Sequence, residues 1–120
     1  MLKNFLLVGL GGALGSMLRY AFAVWFKQSS FPLATFLVNI IGSFIIGLVF
    51  AYALRNESFA LNWRLFLAAG ICGGFTTFSA FSLESLQLLQ QQRIGLFFFY
   101  AIGSLLLGLA AAWLGYSLMK

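Results

Sequence analysis

The sequence has no histidine, a single cysteine and only two acidic residues. Without histidine, the usual zinc sites, the common proton relay and any histidine-based catalytic triad are excluded. The lone Cys72 cannot form an intrachain disulfide, and its apolar neighbours predict a buried packing residue. Since no nucleophile–base pair or metal cluster can be assembled from the remaining side chains, an enzyme is the least favoured class.

Charge is also scarce. Only 8% of the 120 residues are charged, whereas 62% are hydrophobic and the mean hydropathy is +1.02. So little polar surface cannot coat a soluble globule, which predicts an all-α integral membrane protein in contact with lipid. The net charge of +5 comes from basic residues that stand singly at the ends of apolar runs. They predict interfacial anchors rather than a nucleic-acid partner.

The length allows one transmembrane domain over residues 1–120. Four apolar runs of about 20 residues use most of it. We predict transmembrane helices at about residues 4–26, 31–54, 64–90 and 94–118, joined by polar connections at 27–30 and 55–64. The first run is too long for a signal peptide and has no convincing cleavage site, so we expect it to be a retained span.

The third run is interrupted by glycines, hydroxyls and aromatics between Gly70 and Ser82. Three glycines within five residues weaken a helix, and Thr77 or Ser79 can cap a restarted half-helix. We therefore predict a break near residues 73–79. Backbone groups freed at membrane depth must be satisfied by protein, an ion or water. Carbonyls at such a break suit a cation and N–H groups suit an anion, so the break predicts an ion or substrate site.

Two phenylalanines follow the predicted break. Phe78 and Phe81 are three residues apart and share one helix face. Because the edge of an aromatic ring is electropositive, this pair could line an anion path. Alternatively, both rings pack against lipid or neighbouring helices.

Polar side chains also form stripes on two of the apolar helices. Thr35, Asn39 and Ser43 follow one another at four-residue steps, and Tyr100 and Ser104 do the same in the last helix. Such stripes are expected to face protein. An unpaired amide at membrane depth is costly, so Asn39 either joins helices or donates to a permeant group.

The remaining features of the spans concern packing and charge. Gly11 and Gly15 have the spacing that lets two helices approach closely. Arg19 lies inside the first span, where it could snorkel to the interface, attract anions in a vestibule, or anchor a structural hydrogen bond. Glu84 lies about two turns beyond the predicted break, near a water interface, which favours a solvated or paired carboxylate.

Basic residues are almost evenly divided between the two sides of the membrane. One side would hold Lys3, Arg55, Arg64 and Lys120, and the other Lys27, Arg93 and Arg19. Orientation normally follows an asymmetry of Lys and Arg, so a chain with so little bias is expected to insert both ways. An antiparallel two-fold homodimer with a pathway between subunits follows from this expectation.

Three stretches of the sequence, residues 11–20, 35–44 and 70–82, resemble the Fluc (CrcB-type) fluoride channels of microbes. The resemblance spans essentially the whole chain, without a serious departure from the pattern. It implies a dual-topology homodimer in the bacterial plasma (inner) membrane, with two antiparallel pores. These pores would export fluoride passively and relieve its toxicity.

The resemblance also implies roles for particular residues. A fluoride pathway is implied for Phe78, Phe81, Asn39, Thr35, Tyr100, Ser104 and Ser79. The backbone carbonyls of Gly73 and Thr76 are implied to hold a structural sodium ion on the dimer axis. Arg19 matches the arginine of the first motif, and vestibule or structural roles remain open for Arg19 and Glu84.

Two other functions are compatible with parts of the pattern. A small dual-topology multidrug or cation exporter would need an acid embedded in the membrane, and the only candidate, Glu84, lies toward a helix end. A non-transporting membrane interaction subunit would explain the small-residue packing. It would leave the polar stripes and the predicted break without a purpose.

Overall fold

The structure is a computed structural model that describes residues 1–27, 31–56 and 61–120. All regular structure in these ranges is helical. In chain order the elements are α1 (Leu2–Trp25), α2 (Leu33–Arg55), α3 (Leu61–Arg64), a π-helical segment (Leu65–Cys72), α4 (Gly73–Phe75), α5 (Phe78–Gln90) and α6 (Ile94–Met119). The predicted connecting residues 28–30 and 57–60 lie outside the described ranges.

Four helical stretches are long and apolar enough to cross a membrane. They are Leu2–Trp25, Leu33–Arg55, Leu61–Gln90 and Ile94–Met119, which we number spans one to four. The predicted all-α architecture with four spans is confirmed. Asn62 and Trp63, which the sequence assigned to a polar connection, instead form a helical turn that continues into the predicted helix at Arg64. No glycine or proline separates them from the apolar run that follows, so nothing stops the helix from including them.

Span three is the least regular of the four. Its first arm, residues 61–75, winds through α3, the π-helical segment and α4. Thr76 (φ −82°, ψ 156°) and Thr77 (φ −153°, ψ 121°) are extended, and we call these two residues the extended pair. The second arm is α5, which starts at Phe78. The π-helical winding is not foreseen by the sequence pattern, although such segments often mark functional sites.

Glycines bring α1 against the first arm at backbone distance. A Cβ on Gly15 would collide with the Ile71 carbonyl and the Phe75 nitrogen, and one on Gly11 would collide with the Phe66 carbonyl. Gly74 approaches the backbone of Gly12 as closely. The close packing predicted for Gly11 and Gly15 is therefore confirmed, and it fixes the position of the residues that precede the extended pair.

Span two packs along span four in the same way, through glycines that contact the backbone of the other helix. Gly47 lies against the Ala112 carbonyl, and Gly115 lies against the Phe44 carbonyl. Gly108 is packed less tightly, because a Cβ there would meet the Ser43 hydroxyl at an ordinary 3.6 Å. These contacts give the protomer two close helix pairs, α1 with the first arm and α2 with α6.

A tight turn joins spans three and four. Gln92 has a positive φ of 59°, and the Arg93 N–H donates to the Leu88 carbonyl at 2.9 Å. This is the Schellman arrangement that ends many helices, with glutamine where glycine is commoner. The turn places the second arm beside the start of α6.

Few side chains are fully buried within the protomer. Val38 and Tyr100 are the largest of these, and Cys72 is buried as predicted. Many leucines and aromatics lie on the surface instead, which lipid or a second protein copy tolerates and water does not.

Candidate functional site

The extended pair is held by a side chain from span two. The Thr77 N–H donates to Asn39 Oδ1 at 2.8 Å, and Asn39 Nδ2 donates to the Thr77 carbonyl at 3.1 Å. One amide therefore satisfies both backbone groups of a residue that lies outside any helix. Of the two roles left open for Asn39, the structure shows that of joining helices. A primary amide has a second N–H, so this contact does not prevent the other role.

Thr77 also starts the second arm. Its hydroxyl accepts a hydrogen bond from the Ala80 N–H at 3.1 Å, which is the ordinary geometry of a helix N-cap. Ser79 Oγ lies 3.3 Å from the same hydroxyl, on an exposed side chain. The predicted cap is confirmed at Thr77, the first of the two candidates.

These contacts remove the helical partners of two carbonyls. In a continuous α-helix the carbonyl of residue i accepts from the N–H of residue i+4. The Thr77 N–H, which would reach Gly73, donates to Asn39, and the Ala80 N–H, which would reach Thr76, donates to Thr77 Oγ1. The Gly73 and Thr76 carbonyls thus lose their usual donors. Two such oxygens at the negative end of a helix are suitable ligands for a hard cation.

Arg19 binds the carbonyl of Gly74, which follows Gly73 at the same helix end. Its Nε donates to the Gly74 carbonyl at 3.1 Å, and the side chain is half-buried. Among the three roles open for Arg19, the structure shows the hydrogen-bond anchor. The arrangement is electrostatically favourable because a cation is stabilised near the C-terminal end of a helix, and a charge in the membrane otherwise costs several kcal/mol, roughly.

A row of aromatic rings runs from the extended pair toward span four. The centroids of Phe78 and Phe81 are 5.8 Å apart, and those of Phe81 and Tyr100 are 5.0 Å apart. Phe78 is 78% exposed, whereas Phe81 is half-buried and Tyr100 is fully buried. The predicted shared face of the two phenylalanines therefore leads from the protomer surface to the polar side chain of span four.

Glu84 ends this row. The Tyr100 hydroxyl donates to Glu84 Oε1 at 3.0 Å, so the carboxylate is paired with a neutral donor, one of the two states expected for it. Glu84 is the only acid within the described ranges, and it forms no ion pair with a basic side chain there. The hydrogen bond ties the side chain of α5 to that of α6 at this end of the row.

Three cavities surround these groups. A cavity of about 360 Å³ beside the extended pair is lined by Asn39, Gly73, Thr76 and Phe78, among others. A slightly larger cavity, of about 400 Å³, lies at the far end of α5, where Lys27 and Arg93 contribute positive charge. A small one of about 160 Å³ includes Arg19. The last two share a border formed by Thr35 and Glu84.

The predicted site residues are only partly brought together. Asn39, Gly73, Thr76 and Phe78 line one cavity. Ser104 lies one turn beyond Tyr100, and its hydroxyl is buried without a hydrogen-bond partner in the described part of the chain. A buried hydroxyl without a partner can still donate to and accept from a small polar ligand.

Two further groups belong to the site but were not among the residues predicted for the ion pathway or the sodium site, although Thr77 was predicted as a candidate cap. Thr77 makes four hydrogen bonds that organise the extended pair, and the adjacent threonines Thr76 and Thr77 were the available signal. Ser85, beside Glu84, has a buried hydroxyl without a described partner. No spacing rule distinguishes it from an ordinary helix serine.

The four spans and the polar groups between them define a small multi-pass membrane protein. The family model described as CrcB-like protein, Camphor Resistance (CrcB), matches residues 6–116. The chain therefore belongs to the CrcB family.

Curated relatives are similar over nearly their whole length. A Thermus thermophilus protein named fluoride-specific ion channel FluC is 50% identical over 119 residues, which cover 97% of this chain and 93% of the relative. A protein of the same name from Flavobacterium psychrophilum is 43% identical, covering 99% and 98%. FluC 1 of Listeria monocytogenes is 46% identical, covering 96% of both chains. With channels as its relatives, the chain is a multi-pass bacterial membrane protein and not an enzyme.

Proposed function

We propose that this chain is a fluoride-selective channel that lets fluoride leave the cell passively. Relatives 43% to 50% identical carry the name of such a channel. The structural observation that supports the proposal most is the pairing of Asn39 with Thr77. It turns one apolar span into a site with freed carbonyls, compact hydrogen-bond donors and adjacent aromatic edges.

The chemistry of the site suits a small, strongly hydrated anion. Fluoride must exchange water for compact donors, and the second N–H of Asn39 and the hydroxyls of Ser79 and Ser104 are of this kind. The electropositive ring edges of Phe78 and Phe81 add weaker contacts. None of these donors carries a full charge, which permits release as well as binding, and conduction needs both.

The functional unit in this proposal is an antiparallel homodimer. Phe78 and Gly73 are exposed on the protomer, and the cavity they share with Asn39 is open on one side. A second copy on a two-fold axis would close this cavity with the same residues. The near balance of basic residues on the two sides supports insertion in both orientations.

A structural sodium ion is part of the same proposal. The residues that would hold it are Gly73 and Thr76, whose carbonyls have lost their helical donors. The donor set fits, because neutral carbonyl oxygens suit hard cations and an anion could not satisfy them. When bound, the ion would offset the carbonyl dipoles and favour anions nearby.

The decisive experiment is anion efflux from liposomes that contain the purified protein. We expect rapid fluoride efflux, little chloride efflux, and no dependence on a proton gradient. The fluoride electrode and chloride electrode should be used on the same preparation, with protein-free liposomes as the control. Impermeability to fluoride, or flux that requires a proton gradient as in an exporter, would contradict the proposal.

Insertion in both orientations is tested by labelling a cysteine introduced at Lys120 with a membrane-impermeant reagent. In sealed membrane vesicles that contain the protein, we expect about half of the protein to react before the vesicles are opened and the remainder afterwards. The buried Cys72 should first be replaced by serine to remove background. Complete labelling from a single side would exclude the antiparallel dimer.

The sodium site is tested by unfolding in sodium and in N-methylglucamine at equal ionic strength. Binding to the folded state alone stabilises it by about 2.7 kcal/mol at a concentration 100 times the dissociation constant. We therefore expect the unfolding midpoint to rise with sodium concentration. Identical unfolding midpoints in sodium and N-methylglucamine would show that the carbonyls of Gly73 and Thr76 do not bind sodium.

A further inference from the structure

A cavity of about 500 Å³ lies between α2 and α6, and we call it the α2–α6 groove. Its floor is the backbone contact of Gly47 with Ala112. Its walls are aromatic: Phe50 and Trp113 are 57% and 66% exposed, and the Tyr116 ring lies 6.0 Å and 5.5 Å from theirs, respectively. The groove exists because the two glycine-packed helices touch at small residues while the large rings stand beside the contact.

The groove covers the inner part of one membrane leaflet, and its lining ends at Phe50 and Tyr116, short of the helix ends. Its inner end is formed by Ile46 and Leu109. With a helical rise of about 1.5 Å per residue, Ile46 lies about 14 Å from Arg55 along the axis of α2, and Leu109 lies about 15 Å from Met119 along the axis of α6. Half of a hydrocarbon core is also about 15 Å thick. A chain entering beside Arg55 would therefore run along the groove to the middle of the membrane.

A fixed positive charge lies at the outer end. Arg55 is the last residue of α2, and its Nη1 donates to the Met119 carbonyl at 3.0 Å at the end of α6. This bond holds the guanidinium at the ends of α2 and α6, about 7 Å beyond Phe50 along the helix axis. The guanidinium has further N–H groups for another acceptor. Lys120 adds a second exposed basic side chain at the same end. Arginine binds phosphate oxygens in a planar, bidentate geometry.

We propose that the α2–α6 groove binds one acyl chain of an anionic phospholipid whose phosphate is held by Arg55. The apolar walls accept the chain, and the charge at the rim selects the headgroup. This interaction does not depend on which ion the protein conducts. Its failure would leave the proposed channel function untouched.

The experiment uses Trp113 as the reporter, since it lines the groove. The chain has three tryptophans, so replacing Trp25 and Trp63 by phenylalanine leaves Trp113 alone. This variant is placed in phosphatidylcholine liposomes in which a fraction of the lipid is brominated phosphatidylglycerol or brominated phosphatidylcholine. The matched control keeps only Trp25, an exposed α1 residue that lines no cavity described here.

We expect brominated phosphatidylglycerol to quench Trp113 at about one fifth of the mole fraction that brominated phosphatidylcholine requires, as one arginine near an anionic surface implies. At Trp25 the two lipids should quench alike. Arg55→Gln should remove the difference at Trp113, while Arg55→Lys, which keeps the charge, should retain part of it and shows that the position tolerates substitution.

Three results would overturn the proposal. Equal quenching of Trp113 by the two lipids would show that no anionic headgroup is selected. Quenching by neither lipid, with Trp25 quenched normally, would show that a second protein copy covers the groove. A preference that persists in Arg55→Gln would show that another group binds the phosphate.

Discussion

The two arms of span three are adjacent in sequence but are held in opposite ways. The first arm packs backbone against backbone on α1, through Gly11, Gly15 and Gly74. The second arm is held by side chains instead: the Asn39 amide, its cap at Thr77, the bond between Tyr100 and Glu84, and the buried Leu88. Its first ring, Phe78, is exposed.

This difference separates two tasks within one span. The first arm cannot shift without separating backbone atoms that already touch, so it fixes where its terminal carbonyls lie. The second arm presents rings and hydroxyls whose surroundings the protomer does not complete. Substitutions in the first arm should therefore act on folding, and substitutions in the second arm should act on flux.

The largest loss of stability is expected from Gly15→Val in α1. Its Cβ would collide with the Ile71 carbonyl and the Phe75 nitrogen, and backbone atoms cannot move aside as a flexible side chain would. Overpacking typically costs about 1 to 3 kcal/mol, and we expect more than about 3 kcal/mol here. The measurement is the free energy of unfolding in mixed micelles.

Gly9→Ala is the matched control for that variant. A Cβ at Gly9 meets nothing within 4 Å, although the residue lies in the same helix. Its effect should be neutral or stabilising by up to about 1 kcal/mol, since alanine favours helix over glycine. Equal destabilisation by the two variants would show that α1 does not hold the first arm through Gly15.

An intermediate loss is expected from Asn39→Leu, which leaves the Thr77 N–H and carbonyl without partners. Each unsatisfied buried group costs about 1 to 3 kcal/mol. Because Thr77 is only half-buried, the two groups together should cost about 2 to 4 kcal/mol, in the lower part of the summed range. Ser43→Ala is the control, because the Ser43 hydroxyl donates only to the Asn39 carbonyl one turn earlier in its own helix. If the two variants unfold alike, the extended pair does not depend on the amide.

The sequence predicted the four spans because helix length and hydropathy depend only on local composition. It also predicted the contacts of Gly11 and Gly15, since small residues at this spacing have one common use in membranes. The π-helical winding of Leu65–Cys72 could not be predicted in this way. It depends on how the first arm fits against α1, and that fit is a tertiary property.

The site was predictable as a list of residues and less so as an arrangement. Asn39 was conspicuous as an amide in an apolar run, but its partner lies 38 residues away, beyond the reach of any periodicity. The alternatives for Arg19 were likewise decided by a carbonyl 55 residues away. Local rules identified Thr77 as one of two candidate caps, because a cap bonds to its own helix.

The smallest loss of stability, and the clearest test of the difference between the arms, comes from two phenylalanines on either side of the extended pair. Phe75 in the first arm is 6% exposed and packs edge-on against Phe22 at 5.5 Å, whereas Phe78 in the second arm is 78% exposed. Phe75→Ile should cost about 1 to 2 kcal/mol because it changes the shape of a packed side chain. Phe78→Ile should cost less than about 0.5 kcal/mol in the protomer.

Fluoride efflux should rank the same two variants in the reverse order. Phe78→Ile removes an electropositive ring edge from the proposed pathway, so we expect efflux to be nearly abolished while the protein stays folded. Phe75→Ile should retain efflux in proportion to the fraction that remains folded, because its ring packs inside the first arm. If Phe78→Ile conducts fluoride normally, that exposed ring serves only lipid or subunit contact and has no part in ion selection.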